Sequence, residues 1–592
     1  MKQTLIASGV IWALWCWPTG QASAQGNAPL PAPQPNAPSA STSGPGVIVP
    51  LSPPETLNGP QIEKKPVFGN FQYDSGLPEK SLDVTIRSMF EDYRLSGPGR
   101  ASSFYQPGSH WLHDVELTAR QPIGEELKTE FNAVIRYTDS KRHDPAVWSL
   151  QRVQFIARDQ VNHLTLGDYY ATLSQYSLNQ AIKGLGYQRN FGESTYLRVV
   201  AGTMAPRWDH LFGEPHNETI QRDVVGLRAQ NAGDNYRVGL NLMSASDHDN
   251  ASVRTIQDTY RQVLPALDWE YRTDGGVRLS GEHAQANTRK QTAAGVRRDL
   301  AGTAHRVNAD GSLGELRWRM RTERVSSDFV TLGGGAAIDR LRYYLRGDYR
   351  LNKTWSVFLA DDWYRNNLDD QISATTRTHI PEAGVTARGL FDRRNLTLTT
   401  SLRQRQIRTE APQYDRNISD RLYVSLSDRF QEVSVRGEVE ALLNKRKSTA
   451  GVRTDNDDYL YRFAVDSRHL FAEGRYDFRP YLTLEHQIVQ DPTTGKSVLT
   501  DGVLLDFRLV APGNLTYAMN FEQRNVNNGT ATVNDNSLLR YGLSVAYRPG
   551  QFPGSSIRAE AGKAHYNFSD NAKDYRERYV RVMLDIPFSL EK

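Results

Sequence analysis

The sequence predicts an all-β protein: a transmembrane antiparallel up-and-down β-barrel of about 26 strands, with 24 to 28 also compatible. Three observations predict this fold. Apolar residues recur at every second position along most of the chain, the connections alternate between short and long, and no later segment has the roughly 18 apolar residues of a spanning helix. A low mean hydropathy of −0.58 fits, because only alternate residues of a barrel strand need to be apolar.

The last predicted strand shows the pattern most clearly. Side chains alternate across a strand, so one face of residues 576–588 is hydrocarbon and the other is polar or mixed. The two faces are Val580, Val582, Leu584, Ile586, Phe588 and Tyr579, Arg581, Met583, Asp585. In a membrane barrel the first face meets lipid and the second meets a wet lumen.

The N-terminus is typical of a cleaved secretory signal covering residues 1–24. A cation precedes the apolar run from Leu5 to Trp17, and Ala22-Ser23-Ala24 forms a small-x-small cleavage site. The single cysteine, Cys16, lies inside that signal, so the mature chain is expected to lack disulfides, cysteine-ligated metals and thiol nucleophiles. Residues 25–78 are rich in proline, alanine and serine and predict a disordered periplasmic tether; residues 79–592 predict the barrel.

Strand signals follow one another from Leu82 onward, and they are weakest at residues 303–308 and 468–485. Short turns that carry Gly, Asn, Asp or Pro are predicted at 121–126, 190–194, 231–235, 273–276, 308–314, 351–353, 511–514 and 549–554. Longer polar connections are predicted at 95–109, 204–221, 244–259, 325–339, 444–458 and 525–536. With this parity both chain ends fall on the short-turn side, which is the periplasmic side of bacterial barrels.

The polar faces of these strands predict a charged lumen lining that orders water or holds a polar partner. The expected lumen residues are Arg317, Arg319, Arg321, Glu323, Arg342, Arg346, Asp348, Arg350, Arg436, Glu438, Glu440, Arg540, Arg581 and Asp585. At least half of them are expected to pair with one another. Arginine suits such a wall because it stays charged and forms fork-shaped contacts with carboxylates.

A closed barrel is favoured over a soluble β protein because hydrocarbon leaves no partner for an unpaired sheet edge. A propeller or β-helix would show a repeat of fixed length, which is absent from the sequence. The lumen of so many strands is wide. No compact plug domain is evident, so either loops fold inward or a partner protein fills the opening.

Two family resemblances bear on function. Leu164-Thr165-Leu166-Gly167-Asp168 followed by Ile182-Lys183-Gly184-Leu185 resembles the Gly-Asp strand and the later basic-Gly strand of pilus-usher barrels. The plug, the periplasmic domains and the cysteine pair of ushers are missing, and no functional residue is carried over. In size and organisation the chain also resembles the porin of porin–cytochrome conduits, which implies a plugless barrel that sheathes a multihaem protein.

Short acidic motifs are the basis for considering a catalytic or metal-binding function. Asp209-His210 and Asp361-Asp362 resemble the pairs with which omptin-type barrel proteases activate water. Acidic clusters at 247–250, 455–458 and 534–536 offer oxygen ligands for Ca²⁺, but the full spacing of a Ca²⁺-binding loop is absent. These clusters are therefore expected to be solvated loop tips. No catalytic residue, metal site or cofactor is assigned, and a non-enzyme is predicted.

Three functional hypotheses stay open at this point. The preferred one is an outer-membrane channel that passes a bulky polar or polymeric substrate together with partner proteins. The second is a barrel sheath around an electron-transfer protein, and the third is a surface hydrolase. The expected environment is outer-membrane lipid with a periplasmic partner or lumen plug and no nucleic acid.

Overall fold

The computed structural model describes residues 80–205, 207–208, 221–248, 257–371, 374–410, 414–448, 453–492, 494–529 and 535–591. The predicted signal peptide and proline-rich tether lie outside these residues. Among the described residues no helix is long and apolar enough to cross a membrane.

The described chain is a succession of antiparallel strands with three single-turn 3₁₀ segments, Pro98–Ser102, Leu390–Asp392 and Asn571–Lys573. The strands are β1 Ser81–Ser96, β2 Gly108–Ile123, β3 Leu127–Thr138, β4 Trp148–Arg158, β5 Asn162–Thr172, β6 Asn179–Phe191, β7 Thr195–Met204, β8 Arg222–Ala232, β9 Tyr236–Asp247, β10 Thr259–Arg272, β11 Arg278–Gln291, β12 Arg297–Leu313, β13 Leu316–Val325, β14 Arg340–Arg350, β15 Trp355–Arg365, β16 Thr376–Arg388, β17 Thr397–Thr409, β18 Asp415–Phe430, β19 Val433–Ser448, β20 Arg453–Ser467, β21 His469–Phe471, β22 Tyr476–Asp491, β23 Lys496–Ala511, β24 Leu515–Asn528, β25 Asn536–Tyr547, β26 Ser556–Phe568 and β27 Tyr575–Glu591.

The sheet closes on itself because the first strand pairs with the last. β1 and β27 are in register from Ser81↔Glu591 to Ser96↔Arg576. β20 and the short β21 both pair with β22 and form one position in the wall, so 27 segments make a closed barrel of 26 strands. The predicted fold class and strand number are confirmed.

The alternation of side chains gives the wall an apolar outer face. On β9 and β10 the exposed face carries Leu240 and Leu267, whereas the buried face between them carries Asn241 and Asp268. The same exposed rows continue around the barrel, for example at Leu359 and Leu543. An apolar exterior on a sheet without a free edge is the surface that a hydrocarbon environment requires.

Both ends of the described wall lie at the rim of the shorter turns, as predicted. Two predicted boundaries are wrong. Residues 455–458 belong to β20, which pairs with β19 up to Lys447↔Arg453, so that connection shrinks to 449–452 and the acidic cluster is not a loop tip. β12 runs through the weak region 303–308 to Leu313, so the predicted turn at 308–314 becomes strand. In both cases cross-strand pairing extends the strands through polar sequence.

One seam of the wall is only half paired. β4 and β5 share five residue pairs, from Gln154↔Gly167 to Arg158↔His163, and the ladder stops there. Gly167 has φ 94°, and the Asp168 carboxylate accepts the backbone N–H of Val153 at 2.8 Å in place of a ladder bond. A left-handed residue therefore ends the pairing, and a side chain satisfies the first freed donor.

Candidate functional site: a lumen narrowed by inward connections

The connection between β5 and β6, residues 173–178, folds into the barrel. The backbone N–H of Tyr176 donates to Glu282 on β11 at 2.9 Å, and its hydroxyl donates to Glu323 on β13 at 2.7 Å. The carbonyl of Leu173 accepts a bond from Arg228 on β8. A short connection can meet β8, β11 and β13 together only from the concave side of the sheet, so these faces line the lumen.

A second connection, residues 326–339 between β13 and β14, docks on the first. Leu178 and Gly333 form a parallel bridge, and the Thr331 hydroxyl donates to the Tyr176 carbonyl at 2.7 Å. On its other side the backbone N–H of Leu332 donates to Gln262 on β10 at 3.1 Å. The two connections therefore form one unit that is held against the inner wall.

This unit covers an apolar part of the inner wall, which we call the filled sector, from β5 to β13. Tyr176 and Phe329 are fully buried and meet edge to face with ring centroids 5.8 Å apart. The wall contributes Ala171, Ile182, Val200, Val224, Met243, Ala245, Leu264, Ala266, Ala284, Ala286, Ala304 and Val325. Small and apolar inward residues thus replace the polar lining where the connections pack.

Arg228 organises the polar edge of the filled sector. Its guanidinium makes a two-pronged contact with Asp268, at 2.6 and 2.9 Å, and also donates to Asn241 at 2.7 Å and Gln230 at 2.8 Å. Only 5% of its side chain is exposed. A buried guanidinium needs this degree of hydrogen bonding, so the hub fixes β8, β9 and β10 together with residue 173.

The strand register places the fourteen predicted residues on the same face of the sheet as Glu323 and Glu91. Glu323 contacts the inward connection directly, and the register places Arg342 opposite Glu323 and Arg346 opposite Arg319. Most have ionic partners: Arg342–Asp362 at 2.7 Å, Arg346–Asp348 at 2.7 Å, Glu440–Arg421 at 2.7 Å, Arg436–Glu438 at 2.5 Å, Arg540–Glu522 at 3.1 Å, Arg581–Glu91 at 3.2 Å and Asp585–Arg87 at 3.8 Å. Arg321 donates to Asn308 at 2.9 Å, and Arg350 donates to the Asn352 carbonyl at 3.4 Å.

Arg317 and Arg319 have no carboxylate within 4 Å in the described part of the chain. Arg319 belongs to a horizontal row on the lumen face that we call the arginine row. The row runs Arg319, Arg346, Ala360, Glu382, Arg403 and Arg421 across β13 to β18. Arg346 is paired with Asp348 and Arg421 with Glu440. Arg319 and Arg403 are therefore the cations of this row that have no carboxylate within 4 Å in the described part of the chain.

Arg540 and Arg581 meet a group of tyrosines that sequence reasoning did not single out. Arg581 donates to the Tyr93 hydroxyl at 3.1 Å, and Arg540 donates to the Tyr566 hydroxyl at 3.2 Å. Tyr105, from the connection between β1 and β2, stacks on Tyr93 with centroids 4.3 Å apart. This connection therefore also folds over the inner wall, where β27 meets β1.

The residues considered for catalysis do not form a pair. Asp361 and Asp362 are consecutive on β15 and point to opposite faces. Asp362 lies in the lumen and binds Arg342, whereas Asp361 contacts His379 at 2.8 Å on the outer face. Asp209 and His210 lie outside the described residues. Within the described ranges no group of three or more acidic, histidine or cysteine side chains is placed to hold a metal ion.

The usher-like segments are neighbours in the wall. They fall on β5 and β6, with Gly167 opposite Gly184 and Asp168 opposite Lys183. Lys183 and Asp168 form a contact of 2.5 Å, and Trp208 donates its indole N–H to the same carboxylate at 2.5 Å. The motif therefore organises the half-paired seam rather than a separate site.

Several solved structures align with this chain at low identity and low TM-score. The P pilus usher PapC translocation pore aligns at 12% identity and a TM-score of 0.33 over 86% of this chain and 99% of the pore. OccK11 (OpdR) of Pseudomonas aeruginosa aligns at 12% identity and 0.30 over 62% and 96%. OmpF of Salmonella typhi, in complex with daunomycin, aligns at 12% identity and 0.28 over 48% and 90%. No protein-family model and no curated protein matches the sequence.

Proposed function

We propose that this barrel is a bacterial outer-membrane channel for bulky polar substrates, and that its lumen favours anionic ones. The arginine row carries this proposal. Arg319 and Arg403 have no carboxylate within 4 Å among the described residues, whereas their neighbours Arg346 and Arg421 are paired with Asp348 and Glu440. A charged ring or row beside a water-filled passage raises the local concentration of the opposite ion and sets selectivity.

The inward connections serve this channel as its constriction. They fill the lumen beside β5 to β13 and leave the charged wall of β14 to β24 without an equivalent cover in the described residues. A wide barrel with one packed side keeps a passage but avoids a fully open leak. The proposal includes a periplasmic partner, which would meet the barrel at the rim of the shorter turns.

Planar-bilayer recording tests the proposal. The mature protein should conduct, and its reversal potential in a KCl gradient should show a preference for chloride. Arg319→Gln/Arg403→Gln should shift the reversal potential toward cations. Arg261→Gln/Arg324→Gln removes the same charge from the outer face and should leave the reversal potential unchanged.

Two outcomes would contradict the proposal. A conducting protein with no ion preference, or with equal shifts in both double variants, would remove the role of the arginine row. A non-conducting barrel that co-purifies with haem absorbance would support the sheath instead. Conductance and haem absorbance, measured on the same preparation, therefore distinguish a channel from a sheath.

A further inference from the structure

A row of cations crosses the outer face of the barrel near the rim of the long connections. Arg365 pairs with Arg377, Arg377 with Arg408, Arg408 with Arg416, and Arg416 with Lys447. Directly paired residues of an antiparallel sheet point to the same side. Five adjacent strands, β15 to β19, therefore present five positive side chains in one line, which we call the outer cation row.

Strand alternation places this row on the outer face rather than in the lumen. Arg365 shares its face with Leu359, which is 67% exposed, and Arg408 shares its face with Leu402, which is 61% exposed. Arg365 comes two residues after Trp363, which packs against Tyr343 with centroids 5.7 Å apart. Tryptophan and tyrosine collect at the membrane–water boundary of barrels. The row therefore begins where the hydrocarbon surface ends.

The protein supplies little negative charge to this row. Glu410 contacts Arg377 at 3.2 Å and Arg408 at 3.6 Å. Arg365, Arg416 and Lys447 have no carboxylate within 4 Å in the described part of the chain. Like charges directly opposite one another destabilise a sheet, because their side chains are only about 5 Å apart at the β-carbon. An external anion would relieve this repulsion.

A similar line of cations occurs at a second place on the outer face of the barrel. On the outer face of β26, β27 and β1, Lys563 pairs with Arg578 and Arg578 pairs with Arg94. This line follows immediately after the apolar positions from Phe588 to Val580. Two separate strand groups thus end their hydrocarbon face in a line of cations at the long-connection rim.

We propose that the outer cation row binds the phosphate groups of a phosphorylated glycolipid in the outer leaflet of the membrane. Guanidinium groups suit phosphate because their fork of donors matches its oxygens. A lipid headgroup is favoured over free phosphate because the row lies at the edge of the apolar surface, where acyl chains pack below and headgroups stand level with the cations. This inference rests on the membrane placement of the barrel and not on its conduction.

Lipid binding by the purified full chain tests this inference. In neutral detergent the protein is titrated with a diphosphorylated diglucosamine lipid, with the same lipid after removal of both phosphates, and with inorganic phosphate. The variant Arg365→Gln/Arg416→Gln/Lys447→Gln leaves the contacts of Glu410 in place. The variant Arg317→Gln/Arg319→Gln/Arg350→Gln makes the same change in net charge on the lumen face.

The wild type should bind the diphosphorylated lipid and gain thermal stability from it, as should the lumen variant. The outer-row variant should bind on the order of a hundredfold more weakly, since each cation near an anionic surface contributes roughly a fivefold factor. Without lipid it should unfold at a temperature no lower than the wild type, because neutralisation removes repulsion. Equal binding by both triple variants, equal binding of the dephosphorylated lipid, or an equal stabilisation by inorganic phosphate would overturn the proposal.

Discussion

Tyr176 tests whether the inward connections are docked as the structure shows. Its hydroxyl is buried and donates to the Glu323 carboxylate, whose other partner is Arg340 at 3.0 Å. A hydrogen bond to a charged group contributes about 1.5–3 kcal/mol. Tyr176→Phe removes this bond and keeps the ring against Phe329. Since 1.4 kcal/mol is a tenfold change, undocking should become roughly 10 to 100 times more frequent.

A buried cysteine can measure that change. Ser177 is fully buried beside Ser174, and the single Cys16 lies in the predicted signal, so Ser177→Cys gives the mature chain one reporter thiol. Its reaction rate with a membrane-impermeant reagent should follow the undocked population. The rate should rise in the Tyr176→Phe background and stay unchanged with Tyr236→Phe, whose hydroxyl bonds Asn231 on the exposed side. Equal rates in both backgrounds would refute the docking of residues 173–178.

Three further predictions concern the wall and its rim. Asp268→Asn leaves the buried Arg228 guanidinium without its counter-ion and should lower the free energy of unfolding by about 3–5 kcal/mol. In a thermal unfolding assay this variant should therefore unfold at a lower temperature than the control variant Asp361→Asn. Gly167→Ala should weaken folding, because a Cβ there would lie 2.1 Å from the Val153 carbonyl oxygen, whereas Gly437→Ala meets nothing within 4 Å and should be tolerated in the same assay. Burial opposes the ionised form of Asp144, in the connection between β3 and β4, but hydrogen bonds from Ser149, the Ala146 N–H and Arg207 outweigh it and lower the Asp144 pKa. A lowered pKa stabilises the fold above the ordinary value of the carboxyl, and this contribution is lost as pH falls through the lowered pKa, so acid should destabilise the wild type more steeply than Asp144→Asn.

The wall was predictable from the sequence because its signal is local. Period-two alternation in β27 places Val580 and Leu584 outside and Arg581 inside without knowledge of any other strand. The strand count followed from the same signal and from the lengths of the connections. Boundaries failed where pairing with a neighbour carries a strand through polar sequence, as at Asp455 in β20.

The interior was not predictable in the same way. The apolar run in the connection between β5 and β6 is too short to show a period; it consists of Leu173, Tyr176 and Leu178. No feature of the local sequence indicates that these side chains turn into the barrel. The one available signal was the small or apolar inner face of β10 and β11, at Leu264, Ala266, Ala284 and Ala286, where a wet lumen would call for polar residues. Such a face requires a cover.

Rows of charge around the barrel depend on register, which couples residues far apart in the chain. Three strands lie between Arg319 on β13 and Arg403 on β17, yet the two residues share one level of the lumen. The lumen face was predicted for Arg319, whereas Arg403 was not singled out, and the alignment of the two residues was not predicted. Arg365 and Lys447 were likewise not singled out from the sequence, because their alignment on the outer face depends on the same pairing of strands.

Cysteine accessibility along β13 in the native membrane tests the central claim most directly. Single substitutions Arg317→Cys, Trp318→Cys, Arg319→Cys and Met320→Cys place a thiol at four consecutive positions of one strand. In a closed barrel with a wet lumen, a small membrane-impermeant thiol reagent should modify positions 317 and 319 and leave 318 and 320 protected by lipid. Uniform modification of all four, or protection of 317 and 319 with modification of 318 and 320, would contradict the account.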